Sequence, residues 1–521
     1  DAADDGGGGI FNNGGTLNVG LMTPVTITAN VADGASGSGG GIFNNTGGVV
    51  TVTGGSITGN SASRAGGGIE DQSGAGLGIT LTGVTLDNNS TGPAPGNGGG
   101  LHVTGAGDVS ITGGTVNGNT ASQEGGGLWN SAGTMTIDGT LITANTANSE
   151  NNGGNDQGGG GVFNNGGTLN ISGANISGNF ALLNRGNGGG VMTVGGTVTI
   201  DLGKISLNES ARAGGGIENN NGTVTLNGVL VEANTAGVNG GGLHVSGTGA
   251  TNVNGGFFQD NIAAQEGGGL WNGTGVMTID GTTIQNNAAS GAGADQGGGG
   301  VFNAGGTINI SSAVILGNVA DGSSGSGGGV LNDAAGTVTI TATDIVGNVS
   351  NRAGGGIETT AGTSVTLTDS LLDSNNTGIT PAVAAPGNGG GIHVTGDGNV
   401  TLTNTNVFNN LAAREGGGLW NGSGTMTISG GSIVNNTASG PAADDGGGGI
   451  FNNGGTVDID AVTIMDNTAD GTSGSGGGIQ NLGGTITIDN STISGNSATR
   501  AGGGIEDNAG ASISITDSTI S

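Results

Sequence analysis

The sequence predicts an all-β fold, a right-handed, single-stranded parallel β-helix of about eighteen rungs, on three observations. A Gly-Gly-Gly-Φ tetrad, with Φ always Ile, Leu or Val, occurs eighteen times between Ile10 and Ile505. Successive Φ residues stand 26 to 35 residues apart. Between tetrads, short β-branched stretches alternate apolar and polar residues and are parted by Gly, Asn and Ser. A unit repeated at that period buries its apolar face only against its neighbours, so one continuous solenoid over 1–521 is expected.

One unit justifies the elements in order. From Gly125 it reads G-G-G-L-W-N, a turn, T-M-T-I-D, a G-T turn, then L-I-T-A-N-T-A. The period-two pattern gives about three strands per rung. Leu128, Met135, Ile137, Ile142 and Ala147 should point inward, and Thr134 and Thr136 outward. Rungs of variable length near 29 residues favour the right-handed form over strict left-handed hexapeptide coils.

A longer period lies on top. Five rung types recur in fixed order, marked by G-G-G-G-(I/V)-F-N, often S-G-S-G-G-G, then R-A-G-G-G-I-E, N-G-G-G-(L/I)-H-V and E-G-G-G-L-W-N. They divide the chain into superrepeats at about 1–152, 153–291, 292–440 and a partial 441–521. Rungs ~4.8 Å apart would repeat this pattern every ~24 Å. The opening D-A-A-D-D-G-G-G-G recurs in part at 442–449, and the expectation is an internal segment of a longer protein.

Glycine supplies 128 residues and proline only 6, without the strict third-residue glycine of collagen. The net charge of −31 rests on seven basic residues, which disfavours nucleic acid as a partner. There is no cysteine, and no apolar run is long enough to span a membrane.

The residue two after Φ is most often Asn: Asn12, Asn44, Asn130, Asn164, Asn219, Asn272, Asn303, Asn332, Asn421, Asn452 and Asn481. A second column lies in a Φ-x-x-N-x-A corner, as in Ile57/Asn60/Ala62, Phe258/Asn261/Ala263 and Ile493/Asn496/Ala498. Both are read as structural amide ladders along the axis. Sequons such as those at Asn221 and Asn399 are weak glycosylation signals in a chain so rich in Asn and Thr.

The residue directly after Φ should alternate to the outer face. It includes Phe11, Phe163, Phe302 and Phe451, then His102, His244 and His393, then Trp129, Trp271 and Trp420. Two readings stand: an exposed stripe that binds glycans or protein, or a second core covered by a loop from a neighbouring rung. The histidines lie five rungs apart and cannot share one metal ion, so each is expected to pair with the Glu of the preceding rung, as Glu70 with His102. Arg64 and Glu70, like Arg212/Glu218, Arg352/Glu358 and Arg500/Glu506, are expected to bridge within a rung. Acidic loops precede first-type rungs (Asp4, Asp5, Asp156, Asp295, Asp444, Asp445), and Asp33, Asp321 and Asp470 open loops after them. Carboxylates among Gly and Ser suit calcium, but the calcium nonapeptide is not reproduced and turn formation is preferred. Inserts, including 148–157 and 375–388 with prolines such as Pro93 and Pro381, fall between the N-x-A corner and the next tetrad.

A glycine tetrad joined to such a corner resembles the polymorphic outer-membrane-protein repeat of chlamydial autotransporter adhesins, usually written G-G-A-I and F-x-x-N. Phe258-Gln259-Asp260-Asn261 and Phe408-Asn409-Asn410 carry the match most fully; Ile is commoner than Phe at the corner, and no autotransporter barrel is present in this chain. The resemblance implies a surface-exposed or secreted adhesin or fibre. The His, Trp and Arg/Glu positions recur in each complete superrepeat, which argues against one active site. The expected function is therefore an extracellular structural protein that self-associates end to end or laterally into a filament, sheath or matrix, with no enzyme activity and no required cofactor. A cell-surface adhesin stalk is the alternative, and a polysaccharide lyase or hydrolase the remote one.

Overall fold

The computed structural model describes all residues except 1–5, 94, 150–156, 379–385 and 509. The chain divides into two compact units, Asp1–Phe257 and Phe258–Ser521. Each is a parallel β-solenoid of nine turns, and the described residues contain no helix.

A rung has four strands, not three. In the rung of Gly125 these are Leu128–Asn130, Thr134–Asp138, Leu141–Thr143 and Thr146–Ala147. The fourth, only two residues long, is the N-x-A corner itself. Its shortness hid it, since two residues carry no readable alternation. Like strands of successive rungs pair in parallel, Φ against Φ: Leu128 with Val162, then Val162 with Val191. In the second unit Leu270 pairs with Val301, and the register holds to Ile505.

The alternation predicts the core well. Leu128, Met135, Ile137, Ile142 and Ala147 are wholly buried, while Thr134 is half-buried and Thr136 exposed. Burying each large apolar side chain contributes ~1.5–3 kcal/mol before chain entropy is set against it. The tetrad closes the rung. A Cβ on Gly126 would lie 2.5 Å from the Thr146 carbonyl carbon and 2.5 Å from the Gly160 oxygen. The corner strand thus runs against the tetrad of its own rung with no room for a side chain.

At the corner, the residue before Asn takes a left-handed conformation, as at Ala144 with φ 55°. That turn aims the Asn side chain inward. Asn145 Oδ1 accepts from the Asn119 N–H at 3.0 Å and from Asn119 Nδ2 at 2.9 Å. Asn145 Nδ2 donates to Val116 O and to Asn179 Oδ1, both at 2.9 Å. The ladder runs from Asn30 to Asn234 in the first unit and from Asn261 to Asn496 in the second. It is the ladder the sequence predicts, and it pairs polar groups that would otherwise be buried unsatisfied.

The Asn file two residues after Φ is a second ladder. Asn12 donates to Asn44, Asn130 to Asn164, Asn272 to Asn303 and Asn421 to Asn452, at 2.7 to 3.0 Å. Asn44 passes the chain on to the Asp71 carboxylate at 2.7 Å. One motif match needs correcting: Phe258 fills the inward corner position, but near Phe408 it is Val407 that is wholly buried.

Candidate functional site

The file directly after Φ is where the chain concentrates its chemistry, and it is not an exposed stripe. Phe43, Phe163, Phe302 and Phe451 are buried, as are His102, His244 and His393. Trp129 and Trp420 retain only 7% and 8% exposure, and Trp271 is half-buried. Only Phe11, in the first rung, is exposed at 44%. The outward reading fails for a local reason. The first glycine of each tetrad is left-handed, as Gly125 at φ 63°, and it turns the preceding segment back over the file. Glu124, just before that glycine, accepts a hydrogen bond from Trp129 Nε1 at 3.1 Å. The same bond joins Trp271 to Glu266 and Trp420 to Glu415 at 3.0 Å. The file is a second core, as the alternative reading has it, but it is covered by the segment just before its own tetrad and not by a loop from a neighbouring rung.

In-register parallel pairing holds like positions about 4.8 Å apart, so flat side chains in one file must stack. In the first unit the order is Glu70, His102, Trp129, Phe163, Met192. His102 stacks on Trp129 with centroids 4.3 Å apart, and Trp129 lies 6.0 Å from Phe163 at 4° between planes. Trp129, Phe163 and Met192 form one buried cluster with Val194 packed against it. The second unit repeats the order: His393 stacks on Trp420 at 4.2 Å, and Trp420 on Phe451 at 6.1 Å.

Below each stack lies a carboxylate. Glu70 is wholly buried, with Oε2 2.8 Å from His102 Nδ1 and Oε1 accepting from Thr104 Oγ1 at 2.6 Å. Glu218 with His244 and Glu358 with His393 repeat the 2.8 Å contact. Ser246 and Thr395 repeat the hydroxyl donor. The His–Glu pairing expected from sequence is thus present in all three copies. A buried carboxylate against imidazole Nδ1 also occurs in hydrolytic triads, where an exposed nucleophile completes it. Here the nearby hydroxyl is committed to the carboxylate, and at His102 and His393 the ring face is covered by tryptophan.

The other predicted residues disperse. Arg500 and Glu506 pair within a rung at 3.2 Å and Arg352 and Glu358 approach to 3.8 Å, whereas Arg64 donates to Ser38 Oγ at 3.3 Å. Asp33, Asp321 and Asp470 are exposed, and no group of three His, Asp or Glu among the described residues could hold a metal ion. Asp4, Asp5, Asp156 and Pro381 lie outside the described residues. Asn221 and Asn399 are exposed.

Sequence reasoning missed the Trp–Glu bond and the hydroxyl donor to the buried Glu. Both left a signal: E-G-G-G-L-W places Glu five residues before each Trp, and H-V-(T/S) places a hydroxyl two residues after each His. Burial holds Glu415 above the usual carboxylate range against the Trp420 hydrogen bond; neighbouring Asp445 adds to the rise and Arg414 opposes it. Arg414 pairs with Asp445 at 3.1 Å, where the preceding copy has Gln265 bonded to Gln296 at 3.2 Å. The two positions differ together between these copies, and the contact is kept in both.

A shallow groove of about 470 Å³ opens on the long-strand sheet of the first unit, lined by Val49, Leu77, Ile79, Thr80, Asp108 and Thr134 among others. Its one carboxylate, Asp108, is bound to the backbone N–H groups of Thr134 at 2.9 Å and Gly76 at 3.2 Å. Among the described residues no helix is long and apolar enough to cross a membrane. No protein-family model matches the chain, and no curated protein or solved structure matches it either.

Proposed function

We propose that this protein is a structural component of the cell exterior, built to associate with copies of itself into a filament, sheath or matrix. One observation carries the reading: the residues best able to do chemistry are spent inside the solenoid. Glu70, His102, Trp129 and Phe163 stack within the first unit, and Glu358, His393, Trp420 and Phe451 repeat the stack in the second. Repetition of an internal stack maintains a regular scaffold; a single catalytic centre has no use for copies. Glycoside cleavage needs a pair of carboxylates in a cleft, and the groove on the first unit offers Asp108 alone.

Kinship with the polymorphic outer-membrane-protein repeat is part of this proposal and rests on the tetrad and the Phe258–Asn261 corner. It favours a second reading, a surface adhesin, in which inserts between corner and tetrad carry the contacts. Electron microscopy of native material separates the two. Ordered filaments with a ~24 Å axial repeat support the structural reading. Isolated single particles that bind a glycan array would replace it with the adhesin.

A further inference from the structure

Four rungs are equivalent by their place just before R-A-G-G-G-I-E, and one of them has changed its outer face. Their third strands are Ser56–Thr58, Lys204–Ser206, Asp344–Val346 and Thr492–Ser494. The inward residue is Ile in all four, and the corner Asn is also kept. The outward positions differ. Two residues before the strand, Leu202 stands where the others have Gly54, Ala342 and Asn490. Directly after it, Leu207 stands where all the others have glycine, at Gly59, Gly347 and Gly495. At the first strand position Lys204, the only lysine of the chain, replaces Ser56, Asp344 and Thr492.

Both leucines are strained. Their φ angles are 52° at Leu202 and 56° at Leu207, a left-handed conformation that glycine takes freely and leucine disfavours. They are 78% and 64% exposed, so neither gains much from burial within the chain. Strain and apolar exposure kept together at the two margins of one strand mark a contact surface. Between the margins, Lys204 Nζ lies 2.6 Å from Glu232 Oε1 of the next rung. Leu230 pairs beside Lys204, and Glu232 beside Ser206.

We infer that this face binds the same face of a second copy of the chain. The inference rests on the self-association reading and names its lateral contact. What selects a second copy is that the face complements itself. Leu202 and Leu207 flank the strand on opposite sides. A two-fold axis parallel to the solenoid axis of the first unit therefore sets Leu202 of each copy against Leu207 of the other. Lys204 and Glu232 also lie on opposite sides of the strand centre, so the same axis brings Lys204 of each copy to Glu232 of the other. The equivalent rung of the third superrepeat would present Asp344 there, and two copies would repel. A face one short strand wide buries less than the ~1,600 Å² of a standard interface, so the dimer should be weak and concentration-dependent.

Sedimentation velocity of the full chain is the test. The native chain should dimerise as its concentration rises. Leu202→Gly with Leu207→Gly should raise the dimer dissociation constant about tenfold, because central apolar contacts dominate such a surface. The melting temperature in dilute solution should hold or rise in the same variant, an outcome that a purely structural role for the leucines would not give. Lys204→Glu should also weaken the dimer, and Lys204→Glu with Glu232→Lys should restore it. The chain has no cysteine, so Leu202→Cys and Leu207→Cys chains can be mixed and oxidised; they should cross-link to each other more than to themselves. Association of the native chain that survives the glycine substitutions unchanged would overturn this contact and leave the self-association reading standing. A native chain that stays monomeric at every concentration would overturn both. A monomeric chain that binds phosphatidylcholine vesicles, and loses them on the glycine substitutions, would give the face to a membrane instead.

Discussion

Glu70 and His102, one rung apart in the same file, meet with Oε2 2.8 Å from Nδ1, and the two residues are 0% and 5% exposed. The imidazole lies between the carboxylate and the Trp129 ring, so each member of the stack fixes the next. A buried hydrogen-bonded pair is costly to break, because removal of one partner strands the other. His102→Ala should therefore destabilise the first unit by about 3 kcal/mol. Adding Glu70→Gln should recover most of that loss. Denaturant unfolding of the four members of this cycle gives the coupling, and additive effects would show that the pair does not act as a unit.

Asp71 gives a pH dependence. Burial raises its carboxyl pKa above 3.8, the bonds from Asn44 and Ser73 oppose the rise, and Glu70 adds to it. A raised native value means that the folded protein holds this proton to higher pH than the unfolded chain. Stability from this group is full below the ordinary carboxyl value and falls as pH rises through the native one. Asp71→Asn keeps the acceptor for Asn44 and removes the charge. Its unfolding midpoint should exceed that of the native chain near neutral pH, and the difference should shrink on acidification. A difference that does not vary with pH would contradict this assignment.

Asn145 bonds to Asn119 on one side and to Asn179 on the other. Asn145→Ala would leave the Asn119 side chain and backbone N–H groups without their acceptor in a dry interior. The expected cost is about 2–3 kcal/mol. Hydrogen exchange should accelerate first in the rungs of Asn119, Asn145 and Asn179, since a solenoid opens locally. Uniform exchange across the first unit would speak against a local ladder.

Leu207 holds φ at 56° just before a corner Asn and is 64% exposed. Other rungs place glycine at this point, for example Gly178 with φ 61°. Leu207→Gly should raise stability by about 0.5–1 kcal/mol, because relief of the left-handed strain exceeds the added chain entropy. A lower melting temperature would show that Leu207 makes a contact of its own.

Most of the fold was legible because the repeat reports each position many times. Strand order, the Φ core and both Asn ladders follow from spacing and alternation. The two-residue corner strand was invisible, since no pattern fits in so short a segment. The file after Φ was harder still. Alternation says that Trp129 opposes Leu128, but it does not say what covers Trp129. The covering segment is set by the left-handed turn at Gly125 and by the Glu124 carboxylate, a relation across five residues that no strand period encodes. The His102–Glu70 pair was legible from register alone.

The claim that this file is interior is tested most directly by tryptophan fluorescence with a collisional quencher. Trp129 and Trp420 are nearly buried and hydrogen-bonded to Glu124 and Glu415. With the half-buried Trp271 replaced by Phe, the account predicts blue-shifted emission from Trp129 and Trp420 that acrylamide quenches weakly in the folded chain and strongly after denaturation. Red-shifted emission in the folded chain, quenched as readily as free tryptophan, would contradict it and restore the exposed aromatic stripe.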